Sequence, residues 1–166
     1  MKLFKNYWYW FVVPALLAAM FISMYFSSNG DSAIVDEIAH IPSGYSYITT
    51  GDYRLNPEHP PLIKDLAAIP LLFLNIKFPY DYWKANVPVV NNQWQMGWKF
   101  LYETAGNNPD QMLMAAHIPI MLLSLCLGVI VFIFSKKLFG PKAGIFALIL
   151  YAFDANIIAH SRFVTT

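Results

Sequence analysis

Asp36, Glu37, His40, Glu58 and His59 fall within one short stretch of the chain, DEIAHIPSGYSYITTGDYRLNPEHPPLIK. Carboxylates and imidazoles are the side chains that take and give protons near neutral pH, so this stretch is equipped for general base or general acid work. Adjacent carboxylates on a helix point about 100° apart, so one of Asp36 and Glu37 can face a substrate while the other caps or orients. Asp36 and His40 are four apart, Glu37 and His40 three apart, and each pair can share a helical face. The same acidic pair would also suit a solvated helix start, where negative charge complements the macrodipole.

Glu58-His59-Pro60-Pro61 is the more distinctive sequence. Two prolines stiffen the chain and force an extended approach to the next helix, which fixes Glu58 and His59 at its entrance with Lys64 one turn on. The plain alternative is a rigid turn with its polar groups in water. Asp36, His40, Glu58 and His59 also have ligand types that suit zinc or manganese. The sequence contains no HExxH, however, and no metal is expected. Arg162, in HSRFVTT beside His160, is suited to bidentate phosphate binding or to snorkelling at a membrane end. For His117 and Asp154, interhelical hydrogen bonds are expected rather than catalysis.

The elements that must position these groups are apolar. Hydrophobic residues make up 57% of the 166 residues and charged residues 13%, against roughly a quarter charged in ordinary globular domains. A net charge of +1 gives no reason to expect nucleic acid. The lone Cys126 forms no intrachain disulfide. Residues 7–28, 112–134 and 143–160 read as three transmembrane helices, the first too long for the apolar core of a signal peptide. Lys136, Lys137 and Lys142 lie in a short basic loop, which with Lys2 and Lys5 places the N-terminus in the cytoplasm and residues 29–111 outside it.

That long first loop is expected to hold juxtamembrane helices. One covers residues 33–49, capped by Asp31 or Ser32 and bent at Pro42. A second, over 61–76, is too short to span easily and reads as interfacial or shallowly inserted. From Lys77 to Asp110 an aromatic, ordered loop is expected. Its Trp83, Trp94, Trp98, Tyr80, Tyr82 and Tyr102 suit a headgroup belt, the commoner use of such residues, with the wall of a sugar pocket as the alternative.

A transmembrane helix, an external Asp-Glu, a Gly-Asp-Tyr, His-Pro-Pro-Leu-x-Lys and a later Arg before Thr-Thr occur in that order. This resembles the N-terminal part of the GT-C membrane glycosyltransferases, in their protein O-mannosyltransferase and aminoarabinose-transferase-like branch. HPPLIK is similar to the HPPLGK of the protein mannosyltransferases, and the match runs from Lys2 to Thr166. The resemblance implies an all-α integral membrane protein with a polyprenyl-phosphate sugar as donor and no cofactor; the absence of long hydrophilic insertions points to a bacterial plasma membrane. It implies membrane lipid and a protein or glycolipid acceptor as partners. Asp36 would be the general base and Glu37 would orient it. His59 and Lys64 would lie near the donor phosphate beside Glu58, and Arg162 would neutralise the leaving polyprenyl phosphate. Family members have many more spans, so the chain is expected to be an N-terminal portion that needs a C-terminal one. A non-catalytic membrane scaffold or accessory subunit is the alternative, and a membrane metalloenzyme the third.

Overall fold

A computed structural model describes residues 8–87, 89 and 92–165. All regular structure among them is helical: α1 (Tyr9–Ser28), α2 (Val35–Thr50), α3 (Pro61–Ala68), α4 (Tyr80–Asn86), α5 (Gln93–Trp98), α6 (Pro109–Phe139), α7 (Pro141–Phe153) and α8 (Ala155–His160). A 3-10 turn over Ile69–Phe73 extends α3, and a π-helical turn over Lys99–Glu103 extends α5. The chain divides into two compact units, Met1–Ser28 with Met121–Arg162, and Asn29–Ile120 with Phe163–Thr166.

In the first unit, α1 runs through Pro14 for 20 residues, and α6, which begins in the second unit, is 31 residues long. At 1.5 Å per residue both reach the roughly 30 Å of a bilayer core. Both are apolar enough to cross one, and only 17% of the apolar stretch of α1 and 22% of that of α6 is buried. A helix in the core of a water-soluble protein hides most of its surface, whereas these present Phe11, Phe26, Ile130 and Phe134 outward. Phe132, Ile145 and Leu148 form the buried contact, packed by Val13, Leu16 and Leu17. The expected helix over 143–160 is divided. α7 has 13 residues, about 20 Å, and the backbone turns extended at Asp154. The Asp154 carboxylate accepts the Ile157 N–H at 2.9 Å and so caps α8. Asp154 thus serves its own chain end rather than a neighbouring helix.

The second unit is built round α2. Ten of its 16 residues are buried, including Glu37, His40, Ser43 and Ser46. Such polarity is tolerable because the hydroxyls bond carbonyls within the helix: Ser46 to Ser43, Thr49 to Tyr45 and Thr50 to Ser46. Two glycines allow neighbours to close on backbone. A Cβ on Gly44 would collide with the Lys64 carbonyl of α3, and one on Gly97 of α5 with the Ile38 carbonyl of α2. The apolar core then gathers Ile41, Tyr45, Leu71, Phe78, Met96 and Phe100.

Three expectations are corrected. The α2 cap is Ile34, not Asp31 or Ser32, and its N–H donates to Glu37 Oε2 at 3.1 Å. As expected, the helix runs through Pro42; Gly51, with a φ of +69°, ends it. The second loop helix tightens after Ala68, because Pro70 has no N–H to offer the Leu66 carbonyl. Leu72 and Phe73 then lie exposed on the 3-10 turn. Within 77–110, where an ordered loop was expected, the described residues form α4, α5 and the π turn, tied by Asn107, which bonds the Lys77 backbone N–H and carbonyl and the Phe100 carbonyl.

Candidate functional site at the start of α2

The first turn of α2 points its two carboxylates apart, as helical geometry demands. Asp36 is exposed. Glu37 is fully buried: its Oε1 lies 2.6 Å from His117 Nε2 and accepts the Val164 N–H at 3.0 Å. With Ile34 on Oε2, both oxygens are engaged within the protein. Glu37 therefore does not meet a substrate directly; it clamps α2, α6 and the 163–165 strand of chain together. His117 makes the interhelical bond expected of it.

His40 lies one turn beyond Asp36 and is 3% exposed. Its Nδ1 is 2.9 Å from the Val164 carbonyl. A carbonyl only accepts, so Nδ1 carries the hydrogen and Nε2 keeps a lone pair. Burial pushes His40 below its ordinary value of 6.5, helped by Lys64 and His59, while the Val164 carbonyl and Asp36 pull it back up. The His59 ring meets His40 edge to face, with centroids 5.4 Å apart. Buried His40 thus has exposed Asp36 one turn before it and the exposed His59 ring against it.

Lys64 is placed otherwise than a phosphate ligand would be. It is fully buried, and its ammonium donates to the Asn56 carbonyl at 2.8 Å, the His59 carbonyl at 2.8 Å and Asn56 Oδ1. Three bonds use three donors. Burial lowers its pKa to about 8, with Asp65 and Glu58 opposing. Tyr47 also holds Asn56, donating to its carbonyl at 2.7 Å. Gln93 of α5 accepts from Asn56 and donates to Glu58 Oε1 at 3.2 Å. Glu58 is thus fixed by α5, and His59 by the ammonium beneath it. Lys64 positions the 56–59 loop.

Arg162 belongs to the first unit, where Nη1 donates to the Ser27 carbonyl at 2.9 Å. Among the described residues no group of three or more His, Cys, Asp or Glu side chains is gathered as a metal would need. Sequence reasoning missed Val164, Asn56, Tyr47 and Gln93. Val164 acts through its backbone and carries no signal; Asn56 and Gln93 are ordinary amides whose meeting only the fold brings about.

Chemically, the cluster offers an exposed carboxylate next to a buried imidazole, with a second, exposed imidazole against that one. That arrangement can remove a proton from a hydroxyl brought to it. No protein-family model matches the chain, nor does any curated protein or solved structure.

Proposed function

We propose that the chain is the catalytic portion of a GT-C-like transferase that moves a sugar from a polyprenyl-phosphate donor to an acceptor hydroxyl. The single observation that carries this reading is the division of labour at the start of α2: Glu37 is consumed by the fold while Asp36 stays open beside His40 and His59. Asp36 takes the hydroxyl proton, the acceptor oxygen forms a bond to the anomeric carbon, and the carbon–phosphate oxygen bond breaks with its electron pair leaving on the phosphate. The anomeric centre inverts. Glu37 and Lys64 act by holding the site.

In this reading α7 and α8 together make a third span, the N-terminus is cytoplasmic, and the α2 cluster lies on the outer face of a bacterial plasma membrane. The test measures transfer of labelled sugar from polyprenyl-phosphate monosaccharides in native membranes carrying the chain or its Asp36→Asn variant. Loss of transfer with unchanged membrane insertion supports the reading, and undiminished transfer ends it. The scaffold alternative draws on one observation: Glu37 and Lys64 both spend their polar atoms inside the unit. It predicts that Asp36→Asn changes nothing.

A further inference from the structure

Away from the α2 cluster, α5 presents an aromatic face. Met96 and Phe100 enter the core with no exposure, while Trp94 and Trp98, one turn apart, are 39% and 52% exposed. The close approach of Gly97 to the Ile38 carbonyl seats that helix firmly on α2. Tyr82, Trp94, Gln95, Trp98, Lys99 and Glu103 line an open cleft of about 400 Å³, within the usual range for small-ligand sites, about 300–1,000 Å³. The π turn that carries Lys99 and Glu103 is the kind of helix irregularity that often marks functional sites.

The polar rim is specific in composition. Lys99 Nζ lies 3.2 Å from Glu103 Oε2, so the two charges cancel and the cleft favours a neutral ligand. Tyr82 donates to Gln95 Oε1 at 3.4 Å, which orients the amide and leaves its N–H groups as donors. Tyr102 stacks near Trp98, with centroids 4.7 Å apart, and steadies that indole. Flat indole faces ringed by an amide, a carboxylate, an ammonium and a phenol match a ligand with a flat C–H face and a rim of hydroxyls. We infer that this cleft is a binding subsite for a neutral pyranose sugar. A plain interfacial anchor would need the indoles but not the neutralised ion pair and oriented amide around them.

The inference does not depend on the transfer reaction, because binding is read with sugar alone. The purified full chain in detergent is titrated with methyl glycosides of glucose, mannose, galactose and N-acetylglucosamine, following tryptophan fluorescence. A saturable change is expected with at least one glycoside at a Kd on the order of 1–10 mM. Trp98→Ala should raise that Kd about tenfold or more. Gln95→Leu keeps both indoles and should raise it about fivefold, which covers the case where Trp98→Ala fails to fold. Asp36→Asn should leave it unchanged, so failure of the transfer reading and failure of this one are separable. No saturation with any of the four glycosides up to about 200 mM, or saturation indifferent to both cleft variants, overturns the proposal. If Trp98→Ala instead abolishes partition into phosphatidylcholine vesicles and no sugar binds, the cleft is an anchor.

Discussion

Glu37 and Val164 are joined across 127 positions of the chain, the buried carboxylate accepting the Val164 backbone N–H at 3.0 Å. The same Oε1 also meets His117, so a single oxygen gathers α2, α6 and the returning chain. Glu37→Ala removes the acceptor of the Val164 N–H and the His117 contact from a dry interior, and breaking a buried pair from one side costs about 3–5 kcal/mol. Thermal unfolding in detergent should show that loss. The Glu37→Ala/His117→Ala double variant should lose less than the sum of the singles. Asp36→Asn, on the exposed side of the same turn, should stay within about 0.5 kcal/mol of the parent.

The glycine contacts of α2 make a second prediction. Gly44→Ala and Gly97→Ala each drive a methyl group into a neighbouring carbonyl, and overpacking costs about 1–3 kcal/mol or more. Chemical denaturation should report lower midpoints for both. Gly140→Ala has open space round it but a φ of +89°, so any cost there is backbone strain, of order 1–2 kcal/mol.

The apolar length of α1 and α6 was legible because hydropathy and length are local properties. The interior of the second unit was not. α2 reads as a polar segment, with Asp36, Glu37, His40, Ser43 and Ser46, yet it is the most enclosed helix of that unit. Its burial depends on hydroxyls bonded within the helix and on glycines whose role is visible only when a partner backbone arrives. α4 and α5 are 7 and 6 residues long, under two turns each, too short for a periodic pattern. The Asp-Glu pair and the His-Pro-Pro sequence did indicate the site. Their division into an open Asp36 and a clamped Glu37, and the inward turn of Lys64, needed the fold.

His40 sets a pH dependence. Burial holds its pKa below 6.5 in the folded chain, with Lys64, His59 and Asp36 the charged groups acting on it. Between that lowered value and 6.5 the unfolded chain binds the extra proton, so stability falls as pH falls through the window and is complete above it. His40→Asn keeps a donor for the Val164 carbonyl. Its melting temperature should therefore drop less than the parent's between pH 7 and pH 5; an identical drop would remove His40 as the cause.

Lys64 acts at the other end of the scale. Its folded pKa is about 8 against an ordinary 10.5. From about 8 to 10.5 the unfolded chain binds the extra proton, and the parent gains stability as pH rises through that range. Lys64→Met takes the donor from the His59 carbonyl and Asn56 Oδ1 and leaves the Asn56 carbonyl only Tyr47, a loss of about 1–3 kcal/mol at pH 7. The gap between parent and variant in unfolding midpoint should widen from pH 8 to pH 10, and a constant gap would contradict the assignment.

The clamp between Glu37 and Val164 also imposes an order on biogenesis. With 127 positions between them, and synthesis at about 5–20 residues per second, the carboxylate leaves the ribosome roughly 6–25 s before its partner amide. The helices from 121 to 162 must all be made in that interval. The interior around α2 closes only when residues 163–165 arrive, and a translation pause before codon 164 would hold it ajar.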